Sequence, residues 1–173
     1  MKFLKITGIV VGLLVVVFFS LGLFFPAFEY DGAVMVKSTP EISWRAFHDD
    51  KIRDKWMDGF RSLTLKKGEP LQPGAVYELV IADSNEVYTM EEEIISIAPP
   101  SHISYVLTND VMKSTYIFEF TDRGDGSTKI ESHYKIMGRN LFWRSMLFIS
   151  KSYLSSSNQQ QLESLKIYIE HLP

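Results

Sequence analysis

Between Ile6 and Phe25 the chain runs for twenty residues without an Asp, Glu, Lys, Arg or His. Val, Leu, Ile and Phe dominate, and about twenty apolar residues are what a helix needs to cross the hydrocarbon core of a bilayer. Gly8, Gly12 and Gly22 are compatible with this, because glycine is more frequent in membrane helices than in soluble ones. Pro26 marks the end, since its ring cannot continue the helix. The alternatives are a secretory signal and a buried core helix. Signal h-regions run roughly 7–15 residues and finish at small residues, whereas here Phe25 stands where a small residue belongs. The expectation is an uncleaved anchor over residues 1–28 and one water-soluble domain over residues 29–173.

Lys2 and Lys5 precede the span, and Glu29 and Asp31 follow it. By the positive-inside rule the N-terminus lies in the cytoplasm and the domain outside, in the periplasm if the source is bacterial. Two of the 18 basic residues belong to the anchor and all 21 acidic ones to the domain, so the domain is net acidic. Its only basic doublet, Lys66-Lys67, reads as a solvated strand end, so no nucleic-acid footprint is expected. The absence of cysteine fits either side of a membrane.

After a short juxtamembrane link from Pro26 to Tyr30, Gly32–Ser38 alternates as a strand. Thr39-Pro40-Glu41 then opens a helix, with a hydroxyl at N-cap, proline at N1 and an acid in the first turn. A second short helix is expected around Lys51–Met57. The period then changes to two, with strands over Arg61–Lys67, Ala75–Ala82, Glu86–Ile97, His102–Asn109, Lys113–Thr121 and Ser127–Met137. Turn residues separate them, including Pro99-Pro100 and Arg123-Gly124-Asp125-Gly126, and links this short mean an antiparallel meander. From Asn140 to Leu172 the pattern is helical and is read as one long helix. Leu162, Leu165, Ile169 and Leu172 form its apolar stripe.

This order, with Val34-x-Val36-x-Ser38-Thr39-Pro40-Glu41, Trp56, Ile94 to Pro100, Phe118-x-Phe120, Gly124-x-Gly126-x-Thr128-x-Ile130 and Leu162-x-x-Leu165-Lys166, resembles the START-like, Bet v 1-like (SRPBCC) superfamily. Within it the chain looks like the small polyketide cyclase/dehydrase-type members that begin with one membrane span. The resemblance implies an α+β helix-grip fold: seven curved antiparallel strands, two short helices after the first, and a long C-terminal helix over the concave face. It also implies a cavity for a hydrophobic small molecule or lipid. Strand parity turns Val36, Tyr77, Leu79, Ile81, Tyr105, Leu107, Tyr116, Phe118, Phe120, Ser132 and Tyr134 inward, with Trp56 at the edge or rim.

Three functions fit such a domain. It could bind a hydrophobic ligand, it could be a cyclase or dehydratase working by general acid–base catalysis, or it could be an interaction module with a filled core. The sequence offers little for the second. The four histidines lack metal-ligand spacing, no G-x-S-x-G elbow or cysteine supplies a nucleophile, and no cofactor motif is present. The exception is Glu91-Glu92-Glu93. Three consecutive acids cannot all face water on a strand buried on one side. The simpler reading leaves the run in solvent through a bulge or overhang. The alternative puts Glu92 in the cavity, where a carboxylate could hold a polar head or act as an acid or base.

The expected partners are therefore the bilayer and a lipophilic ligand, with no protein partner indicated. Leu141–Ile149 carries seven large apolar side chains and one charge, Arg144. A helix lying on one sheet face needs only one stripe of these, so either the segment folds back to cap the cavity mouth within the domain, or Phe142, Trp143 and Phe148 are membrane contacts. Intact-mass measurement of the membrane fraction should find residues 1–28 retained. A species beginning near Ala27 or Phe28 would mean a cleaved signal instead.

Overall fold

The computed structural model describes residues 2–49, 51–83 and 86–172. Helix α1 spans Lys2–Phe24, and its stretch Lys5–Phe24 is long and apolar enough to cross a membrane. Nearly all of that stretch is exposed rather than packed into the domain, which sets the buried core helix aside.

Strand β1 (Ala27–Val36) starts two residues after α1 ends. No link separates them, because Phe28 and Tyr30 already alternate inward while Glu29 and Asp31 point out. These acids bond across the ladder to Lys135 (2.8 Å) and His133 (2.8 Å). Two short helices follow, α2 (Pro40–His48) and α3 (Arg53–Trp56), the second tighter than Lys51–Met57. Then come β2 (Phe60–Lys67), β3 (Val76–Asp83), β4 (Glu86–Ala98), β5 (His102–Thr108), β6 (Met112–Asp122) and β7 (Thr128–Gly138). They form one antiparallel sheet of seven strands in the order β1-β7-β6-β5-β4-β3-β2. The expected strands from β2 onward lie within a residue or two of the observed ones.

The long helix is divided. Helix α4 covers Leu141–Ile149, α5 covers Lys151–Glu170, and Ser150 turns between them. The two halves have different neighbours, so one straight axis cannot serve both. Helix α4 lies against the last turns of α1, where the Gly22 N–H donates to Ser145 Oγ at 3.1 Å. Helix α5 lies on the sheet, burying Leu162, Leu165 and Ile169.

The helix comes closest to the sheet at Gly32. A Cβ there would stand 2.4 Å from Asn158 Nδ2, so only glycine admits the Asn158 amide, which donates to Ser132 Oγ at 3.0 Å. Farther along the sheet the core is aromatic: Phe47 stacks on Trp56 (5.2 Å, 23°) and packs against Phe118 and Phe120. Trp56 is 5 % exposed. Trp56→Ala should cost about 3–5 kcal/mol, measured by denaturant unfolding in detergent. A loss below about 1 kcal/mol would show that the ring is not a core element.

Candidate functional site

Between the concave face and the helices lies a cavity of two lobes. The distal lobe, about 220 Å³, is bounded by Phe47 and His48 of α2, Arg53 and Trp56 of α3, Leu63, Pro70, Leu71, Tyr77, Glu92, Ile94, Ile103 and Tyr105. The proximal lobe, about 150 Å³, is bounded by Leu79, Ile81, Met90, Leu107, Phe118 and a set of tyrosines. Leu154, Ser157, Asn158 and Gln161 of α5 cover it. Trp56, Met57, Glu92 and Tyr105 border both lobes and form the waist between them. Together the lobes reach the lower part of the roughly 300–1,000 Å³ range of small-molecule pockets.

The floor of the proximal lobe is a row of four tyrosines. Register pairs Tyr30 of β1 with Tyr134 of β7, Tyr134 with Tyr116 of β6, and Tyr116 with Tyr105 of β5. The rings stack or meet edge to face in sequence, at 4.9, 4.3 and 5.4 Å. Burial holds all four phenols above their ordinary pKa, Tyr116 to about 12. They stay protonated at any physiological pH and offer hydroxyls to a ligand.

Polar groups gather at the waist and in the distal lobe. Glu92 is 7 % exposed and Arg53 likewise 7 %. Glu92 therefore enters the cavity, against the simpler reading of the acidic run, while Glu91 and Glu93 remain in water. The strand stays regular through the run, with Glu91, Glu92 and Glu93 paired in order to Thr108, Leu107 and Val106. The irregularity falls later, between Ile94 and Ser96. Beyond its burial, Tyr105 feels both charges, Glu92 raising and Arg53 lowering its pKa. His48 lies 2.9 Å through Nδ1 from the Trp44 carbonyl, so Nδ1–H donates. Its Nε2 is buried with no protein partner, as is the Trp56 indole N–H. Both residues line the distal lobe. The loop over the distal lobe is held by Leu71, whose N–H donates to the Tyr77 hydroxyl at 3.0 Å, with Leu71 itself at φ 54°.

Of the residues expected to line the cavity, Trp56, Tyr77, Leu79, Ile81, Tyr105, Leu107, Tyr116, Phe118 and Tyr134 do so. Val36, Phe120 and Ser132 lie elsewhere. Val36 is fully enclosed, Phe120 packs on Trp44 and Phe47, and Ser132 is taken up by Asn158. Phe142 keeps an exposed face beside Trp143, which is half-buried. Phe148 stacks on Phe25 (4.4 Å, 9°) and meets Phe28 edge-on, so the junction between α1 and β1 and the start of β1 take up its ring. Arg53, His48 and Tyr30 were not anticipated at the site. Among the described residues no group of His, Cys, Asp and Glu could hold a metal.

The family described as polyketide cyclase/dehydrase and lipid transport matches residues 27–170. The chain belongs to this family. Solved structures of similar fold bear out the helix-grip architecture. The Zhui aromatase/cyclase from Streptomyces sp. R1128 superposes with TM-score 0.68 at 13% identity, covering 83% of this chain and 94% of that one. Ara h 8.0201 gives 0.65 at 12%, covering 83% and 97%. A protein of unknown function, SA2116 from Staphylococcus aureus, gives 0.67 at 15%, covering 83% and 94%. No curated protein matches the sequence. At these identities the likeness is one of fold alone.

Burial, opposed in part by the Trp44 hydrogen bond and reinforced by Arg53, lowers the His48 pKa from 6.5 to about 4. The neutral ring is the folded form. Stability is complete above about pH 6.5 and falls as the unfolded state takes up a proton that the folded state refuses. Acidification from about pH 7 to about pH 4 should therefore remove up to about 3 kcal/mol through this residue. In thermal unfolding across that window His48→Gln should show a flatter profile than wild type. Parallel profiles would mean that His48 is solvated and charged.

Proposed function

We propose that this chain is a membrane-tethered module that holds an amphiphilic lipophile between sheet and helix. Its polar end sits among His48, Arg53, Trp56 and Glu92, and its apolar body lies along the tyrosine row. The observation that carries this reading is a mostly apolar, largely aromatic wall into which a few polar side chains are placed, Glu92 at the waist with Arg53 and His48 on its distal side. Ligand sites have this character, mostly apolar with a few placed polar groups. Family membership supports the reading, since lipid transport is part of the family's description. A filled core, which an interaction module would have, fits poorly with two open lobes.

A second reading rests on Glu92. A buried carboxylate beside Tyr105 and Tyr116 is the one constellation suited to acid–base chemistry on a carbonyl compound. The aromatase/cyclase neighbour supports it by fold only.

Native mass spectrometry of the detergent-extracted full chain should reveal a co-purifying lipophile. Leu79→Trp, which fills the proximal lobe, should lose it while remaining folded. Absence of any adduct from wild type, or equal occupancy in Leu79→Trp, would count against binding in this cavity. The same experiment separates the two readings. Wild type and Glu92→Gln should carry a molecule of the same mass if the protein only binds. A wild-type ligand lighter by one water would identify a dehydratase.

A further inference from the structure

Read as a span, α1 has no length to spare. At 1.5 Å per residue, the twenty residues from Lys5 to Phe24 reach about 30 Å, the thickness of the hydrocarbon core. Yet its last turns are packed against α4. A Cβ on Gly22 would stand 2.5 Å from both the Leu141 carbonyl and Ser145 Oγ. Phe18 meets Phe142 at 5.7 Å, and Phe25 lies flat on Phe148 at 4.4 Å. Close backbone approach at small residues is how helices pair inside membranes. Whatever surrounds Phe18 to Phe25 must also reach α4.

Helix α4 leaves an apolar stripe exposed, which borders α1 at Phe142. Phe142, Met146 and Ile149 recur at helical spacing, and Tyr153 continues the line one turn into α5. They are 46, 39, 58 and 73 % exposed. The one charge of α4, Arg144, is turned away, its guanidinium Nε donating to the Gly138 carbonyl at 3.2 Å. We propose that α4 is a second membrane-embedded element, which sinks the stripe Phe142–Met146–Ile149–Tyr153 into the acyl region beside the last turns of α1. The occupant of this face is lipid. The argument is continuity, because the stripe extends the exposed apolar surface of Leu23, Phe24 and Phe25. Such a helix, apolar on one side and held by protein on the other, belongs to the interface.

The site shares this end of the molecule. β1 begins and β7 ends beside α4, and the β3–β4 hairpin at the same end of the sheet exposes Val87 and Tyr88. Leu154 and Ser157, on the turns after the stripe, cover the proximal lobe. The stripe and the helical cover of the proximal lobe are thus consecutive stretches of the same C-terminal helices. The inference rests on α1 as a span and not on the identity or presence of a cavity ligand.

The chain has no cysteine, so single cysteines can be placed at will. Met146→Cys, Ile149→Cys and, in the β6–β7 turn at the opposite end, Asp125→Cys would each carry a bimane label. The full-length variants would sit in phosphatidylcholine–phosphatidylglycerol nanodiscs. Doxyl-labelled lipid should quench the labels at positions 146 and 149 several-fold more than at 125, and aqueous iodide should show the reverse order. Iodide quenching at 146 and 149 equal to that at 125 would overturn the proposal. So would shielding of both from lipid and iodide alike, which would mean that another protein surface covers α4. Native mass spectra of the same samples report cavity occupancy separately, so an empty cavity with lipid-quenched labels would refute the binding reading and leave this one standing.

Discussion

The amide of Asn158, resting on Ser132 where Gly32 presents no side chain, fixes the distance between helix and sheet. At Gly32 it leaves no room for even a Cβ. Toward β5, β4 and β3 the inward residues are Tyr105, Leu107, Leu79 and Tyr77, and the helical cover passes from α5 to α3 and α2. The gap that remains is the cavity. A buried amide bonded to a buried hydroxyl is stabilising only when both find partners, and each here satisfies the other. Core and pocket thus follow from one polar contact at the closed edge.

The pocket is costly in the terms that govern folding. Glu92, Arg53, the Nε2 of His48 and the indole N–H of Trp56 are all withdrawn from water. Buried charges and orphaned polar atoms are tolerated where something else requires them. Their presence in the cavity wall separates this cavity from a packing fault, which would be apolar throughout.

Much of this could be read from the chain alone. Alternation located six of the seven strands to within a residue or two because each buries one face and wets the other. The same parity placed Glu92 beside Met90 and Ile94. What parity could not decide was whether the strand stays regular at that point, which depends on pairing with β5. The tyrosine row was visible only in part. Tyr105, Tyr116 and Tyr134 were marked as inward residues, but their alignment is a matter of register between strands distant in sequence. Tyr30 was missed because Pro26 and Gly32 made the first half of β1 look like a link. Arg53 and His48 were missed for another reason. They sit on short helices whose faces are defined only by what they cover, and no local period marks which side turns under the sheet. The turn at Ser150 was hidden similarly, since Ser150 keeps helical hydrogen bonds on both sides.

Only Phe25 and Pro26 separate α1 from β1, and Phe25 is itself clasped by Phe148. The usual picture of an anchored domain is a float on a string, free to swivel and to reach neighbours within the radius of its tether. This molecule has no string. Tilting α1 by some angle tilts the sheet by the same angle, and rotating it about its axis carries the mouth of the cavity around with it. Helix and domain form one lever, and were α1 held in a bilayer, as proposed, every encounter of the domain would be confined to that plane.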